Sequence, residues 1–160
     1  MCVNDSTKIL TTFEIKPGIG ISTLLFGASM AEAESVFGKT EEIQLIDEIE
    51  EFQTTVWHYW TKGISLFFDD KNNQQFNSVE IDNRESKLWG QKIFSLKEKQ
   101  IIELLTSKGI LKYETEQQDW GEKRLSFDEA NIDFYFEKNQ LICINYGKLN
   151  LDSPILILNN

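Results

Sequence analysis

Cysteine, proline, histidine and positive charge are all scarce in this chain, and each scarcity removes a class of explanation. Two cysteines, Cys2 and Cys143, give neither a disulfide framework nor a cluster of metal thiolates. A reducing compartment, the cytoplasm, is the simplest expectation. The single histidine, His58, leaves one imidazole for acid–base work. Two prolines, Pro17 and Pro154, exclude a proline-rich linker. No stretch approaches the roughly 20 apolar residues that a membrane-spanning helix needs. Met1–Lys16 holds no apolar core of about 7–15 residues, so a secretory leader is not expected. Against 26 Asp and Glu stand only 16 Lys and Arg, a formal net charge of −10 with a sequence pI near 4.6. Nucleic acids and anionic membranes bind cationic faces, so neither is expected as a partner. A basic protein surface is the complement of such a field.

Hydrophobic residues make up 41% of the chain and aromatics 12%, enough to fill the core of one compact domain. They are patterned. Trp57–Asp70 and Leu125–Lys138 each read as two short strands joined by a tight turn, at Thr61-Lys62-Gly63 and at Glu129-Ala130-Asn131. Apolar residues recur at every second position, which sets one face of each strand on a core. Trp57 matches Leu125, Tyr59 matches Phe127, Ile64 matches Ile132, Leu66 matches Phe134 and Phe68 matches Phe136. A repeated unit therefore organises the chain.

Upstream of each hairpin the spacing predicts a helix. Ser29 with Glu32 and Ser95 with Glu98 are both Ser-x-x-Glu capping boxes, and Gly38 and Gly109 stand where helices stop. One further strand is expected between helix and hairpin, at Ile43–Ile46 and at Ile110–Tyr113. The first is followed by an acidic turn, Asp47–Glu51. A last strand follows in each copy, at Phe76–Ile81 and Leu141–Tyr146. The expected class is α+β: two tandem helix–ββββ repeats forming an antiparallel sheet with the helices packed on one face. The expected boundaries are an N-terminal segment 1–22, a first unit 23–82, a linker 83–92, a second unit 93–147 and an apolar tail 148–160.

Phe26-Gly27-Ala28-Ser29-Met30, then Val36-Phe37-Gly38-Lys39, then a hairpin-rich stretch, resembles the beta-lactamase inhibitory protein fold. The same half is similar to small outer-membrane assembly lipoproteins. The resemblance covers most of residues 19–147 as two tandem copies. The second copy departs from it, with Ser95 in place of Gly and no Phe-Gly pair at the helix end. Tandem members of that family grip a protein with an open concave sheet, so the resemblance implies protein binding.

If Trp57, Tyr59, Ile64, Leu66 and Phe68 face the helices, the open face carries His58, Trp60, Phe67, Asp128, Asp133 and Tyr135. Aromatic anchors ringed by acids are the composition of a protein interface. Glu48, Glu50 and Glu51 in the acidic turn are a second candidate patch for a basic surface. No catalytic residue, metal site or cofactor is expected. His58 sits mid-strand with no Ser or Cys nucleophile that the sequence places beside it. Asp69-Asp70 with Asn72-Asn73 lacks the spacing of a calcium loop. The function expected is a non-enzymatic bacterial immunity or inhibitor protein that neutralises a toxin or enzyme by covering its surface. The alternatives are a trimmed lipoprotein in envelope assembly, on the strength of Cys2, an enzyme with an unrecognised site in which a deep pocket holds His58 beside an acid, and a homo-oligomer in which the tail Pro154–Leu158 adds a strand.

Overall fold

The computed structural model describes residues 12–49, 52–69 and 73–149. Strands β1 (Glu14–Lys16), β2 (Gly20–Ile21) and β3 (Leu24–Leu25) form a tight meander around the Pro17-Gly18 turn. Gly20 is required there, because a Cβ at that position would collide with the Leu24 carbonyl oxygen. Helix α1 (Met30–Phe37) begins as its capping box dictates. The Ser29 hydroxyl accepts from the Glu32 amide at 3.1 Å, and the Glu32 carboxylate accepts from the Ser29 amide at 3.2 Å. Two backbone donors that the helix start leaves free are thereby satisfied. The helix ends at Gly38, whose φ of 84° favours glycine. The Tyr59 hydroxyl donates to the Gly38 carbonyl at 2.8 Å and ties that end to the sheet.

Strands β4 (Glu42–Ile49), β5 (Phe52–Tyr59), β6 (Ile64–Asp69) and β7 (Gln75–Ile81) follow as an antiparallel meander. Two short strands, β8 (Lys87–Leu88) and β9 (Gln91–Lys92), then pair around Trp89-Gly90, and β8 runs parallel to β1. Helix α2 (Glu98–Ser107) precedes β10 (Glu114–Gln117), β11 (Glu122–Phe127), β12 (Ile132–Glu137) and β13 (Gln140–Gly147). The large sheet is antiparallel and eight strands wide, in the order β10-β11-β12-β13-β7-β6-β5-β4. The small sheet runs β3-β2-β1-β8-β9. The protein is thus of the α+β class, with two α-helices among the described residues.

One apolar cluster holds the layers together. Tyr59, Leu66, Phe68, Val79, Leu125, Phe127, Phe134 and Ile144, all of one strand parity, share it with Ala33 and Phe37 of α1 and Ile101 and Leu105 of α2. Both helices therefore cover the same face of the large sheet, and the other face has no helix on it among the described residues. The small sheet closes one side of this core through Ile15, Ile21 and Leu88. It is fixed to the large sheet where the buried Tyr146 hydroxyl donates to the Gly20 carbonyl at 2.8 Å.

Three local expectations are corrected, and a fourth stretch carries strands that were not expected in it. Asp47 and Glu48 belong to strand β4 and not to a turn, with a bulge between Asp47 and Ile49. The strand expected at Ile110–Tyr113 lies at Glu114–Gln117. Ile110 is instead buried beneath the end of α2, where its amide donates to the Leu105 carbonyl at 3.0 Å after Gly109 turns the chain at φ 85°. Ser95 does not cap α2. It sits in a 3-10 turn with its hydroxyl donating to the Lys92 carbonyl, and the helix starts after Lys97, whose amide donates to Gln100 Oε1 at 2.8 Å. The stretch 83–92, read as a linker, carries β8 and β9. Cys2, Glu50, Glu51 and the run Pro154–Leu158 lie outside the described residues.

Candidate functional site

The face of the large sheet that carries no helix is organised by strand register. The cross-strand partners set Glu42, His58, Ser65, Glu80, Asn145, Asp133, Ser126 and Glu114 in one polar row across all eight strands. Tyr135, Arg124 and Glu116 form part of the next row on one side, and Val56, Phe67 and Ser78 part of the next row on the other. Among the described strand residues of this face Arg124 is the only lysine or arginine. Its guanidinium lies 3.9 Å from Glu116 and 4.0 Å from Asp133, at the limit of an ion pair, so the surplus of acid is only weakly offset.

Two clusters stand on this face. At the β5 end, Trp60 is 59% exposed. Its ring stacks on His58 at 4.1 Å and 10°, and its Nε1 donates to Glu42 Oε1 at 2.9 Å. The indole is therefore held in place before any contact, which lowers the entropy lost on docking. Beneath it, His58 is buried, with Nδ1 2.7 Å from Ser65 Oγ and Nε2 2.8 Å from Gln44 Oε1. Phe67 is half-buried and pairs with the buried Val56. At the β12 end, Ser126 Oγ lies 2.5 Å from Asp133 Oδ1 and 3.0 Å from Asp128 Oδ1. Asp128 is exposed, while Asp133 and Tyr135 are half-buried. Four strand spacings separate β5 from β12, about 19 Å, which is the scale of one side of an ordinary protein interface. Of Glu48, Glu50 and Glu51, only Glu48 is described, by its backbone in β4.

The proximity of Ser65 to His58 overturns the expectation that no hydroxyl stands beside the imidazole. The turn at Gly63 pairs Tyr59 with Ile64, and that register brings His58 opposite Ser65. The order Ser65–His58–Gln44 is that of a nucleophile, a base and an orienting group. A neutral amide does not stabilise an imidazolium as a carboxylate does. Ser65 is 4% exposed, and the cleft above it holds about 50 Å³. Small-molecule sites are roughly 300–1,000 Å³. Among the described residues no three His, Cys, Asp or Glu side chains gather closely enough to hold a metal ion.

Between the clusters lie Glu80, Cys143 and Asn145. Burial raises the Glu80 carboxyl above its ordinary value, and Asp82 adds to this, while His58, Cys143 and Asn145 oppose it. Burial also pushes the Cys143 thiol up to about 12, with Glu80 as the next cause. Burial and then Asp133 raise the Tyr135 hydroxyl. Asn145 Oδ1 is buried and accepts no hydrogen bond from the described residues. Partial exclusion of water here thus favours the uncharged forms of Glu80, Cys143 and Tyr135.

Glu80 gives a pH-dependent prediction. Unfolded, it titrates at its ordinary value of 4.5; folded, it keeps its proton to higher pH. Between those two values the folded state binds more protons, so stability is lost as pH rises through that window. Glu80→Gln removes the loss while keeping a hydrogen-bonding side chain. The variant is expected to melt higher than the parent at neutral pH, with the difference disappearing below 4.5. Thermal unfolding followed across pH checks this.

Sequence reasoning missed Gln44 and Arg124, and both are recoverable from register alone, as cross-strand neighbours on the polar face. No described helix is long and apolar enough to cross a membrane. The chain matches no protein-family model, no curated protein and no solved structure.

Proposed function

We propose that this chain is a non-enzymatic protein-binding module, acting as a bacterial cytoplasmic immunity or inhibitor protein that covers the surface of a basic toxin or enzyme. The observation that carries the reading is the helix-free face. It presents a preset tryptophan, Trp60, and a half-buried Tyr135 across a strip of acids with one arginine among them. Interfaces concentrate their energy in a few aromatic anchors, and a surrounding field of one sign speeds encounter with the opposite sign. The same order of elements, a helix and then four strands, occurs twice in the chain. It supports an origin as two copies of one unit, joined edge to edge at β7 and β13 into a sheet broad enough to cover a partner.

The test is capture of a partner by the tagged protein from lysate of its own source cells, at low and high salt. The expected result is one basic protein in equal amount, retained by the parent and lost by a Trp60→Ala, Tyr135→Ala double variant that still folds. Recovery of envelope assembly proteins, or equal capture by both forms, would contradict the proposal.

A further inference from the structure

The two outer edges of the large sheet are unlike each other. Strand β10, at one edge, is four residues long, and Glu114, Thr115, Glu116 and Gln117 are all exposed and polar. Short, charged edges of this kind resist pairing with a further strand. Strand β4, at the other edge, is eight residues long and has β5 as its one neighbour among the described residues. From Glu42 to Asp47 it keeps unbroken register with β5, and the bulge lies only beyond Asp47. It has no proline and no lysine. On the helix side of the sheet, Ile43 is 57% and Leu45 58% exposed. A long, regular strand with exposed aliphatic side chains is a template for strand addition.

We propose that β4 accepts an extended segment of a partner protein as a ninth strand, and that this segment carries aliphatic residues flanked by basic ones. Charge selects the occupant. Glu41 and Glu42 stand at one end of the strand, both exposed, and the sequence continues into Asp47-Glu48 at the other. In any antiparallel register that matches the middle of β4 to itself, the acidic ends of two copies meet. Like charges directly opposed destabilise a strand pair, so a second copy is disfavoured. A strand with lysine or arginine at its ends and valine or isoleucine between them places opposite charges together and covers Ile43 and Leu45. The proposal stands on the edge and is independent of the reading of the open face.

The probe is a fluorescein-labelled peptide, Lys-Lys-Thr-Val-Thr-Val-Lys, titrated with the full-length protein at physiological salt and read by anisotropy. Saturable one-to-one binding is expected. It should weaken at least about tenfold with Ile43→Lys plus Leu45→Lys, and by a similar factor when alternate peptide amides are N-methylated along one edge, since strand addition requires those donors. Tyr135→Ala, on the open face, should leave it unchanged; this separates the edge from the open-face site. The N-methylated peptide tests the parent protein directly, so the result does not depend on the double variant folding. Three outcomes overturn the proposal: no saturable binding, equal binding of the N-methylated peptide, or a dimer of the parent protein that the double lysine variant abolishes.

Discussion

Phe134→Ala lowers the free energy of unfolding by about 3–5 kcal/mol. The ring is fully buried, lies opposite Leu125 on β11 and Ile144 on β13, and meets Phe127 edge-on at 6.0 Å. Truncation removes the burial of an aromatic side chain and leaves a cavity that the flanking strands, fixed by their ladders, cannot close. A domain of this size is stable by roughly 5–15 kcal/mol, so the loss is a large share of the total. Leu66→Ala, on the same face opposite Trp57 and Val79, should cost about 2–5 kcal/mol. The neighbouring Tyr135→Ala points the other way and should cost about 1 kcal/mol or less. Urea unfolding of the three variants checks the pattern. Equal losses at Phe134 and Tyr135 would mean that the two faces of the sheet have been assigned wrongly.

Trp60→Ala weakens partner binding by about 2 kcal/mol or more, close to thirtyfold in Kd, while changing stability by less than about 1 kcal/mol. Both halves of this expectation follow from its position. The indole is mostly exposed, so the core does not depend on it. It is also held by the His58 stack and the Glu42 hydrogen bond, so it enters an interface already ordered. Salt should act differently: it screens the acidic face and slows association, whereas loss of the indole speeds dissociation. Titration calorimetry with the captured partner measures the first effect, and stopped-flow association separates the second. A variant that unfolds would place Trp60 in the core and contradict the account.

Much of this was legible in the sequence. The period-two runs around Trp57–Phe68 and Leu125–Phe136 give the central strands because half-buried strands alternate strictly. Ser29 and Glu32 mark the first helix because the capping box is a local device that needs no tertiary partner. The failures also have physical causes. Glu114–Gln117 has no apolar side of its own; it is a strand because β11 offers an open ladder, and periodicity cannot detect that. Ile110 reads as a strand residue, yet it is buried as the apolar contact that closes a helix end. Ser95 loses its capping role because it ends a 3-10 turn and its hydroxyl donates to the Lys92 carbonyl. Trp89-Gly90, with φ of 48° and 79°, was a turn signal hidden in a charged stretch. On this face, the strand parity that sets His58, Asp133 and Tyr135 together was legible, and their cross-strand neighbours were not. His58 beside Ser65 and Gln44, and Asp133 beside Ser126 and Arg124, depend on register, which turn length fixes and composition does not.

The most direct test of the open face as a docking surface is hydroxyl-radical labelling of the captured complex, compared with the free protein by mass spectrometry. Trp60 and Tyr135 should be oxidised readily in the free protein and protected in the complex. Trp120, 72% exposed in the turn between β10 and β11, should be labelled equally in both and serves as the internal reference. Protection of Trp120 with Trp60 and Tyr135 left fully reactive would place the partner elsewhere and contradict the account.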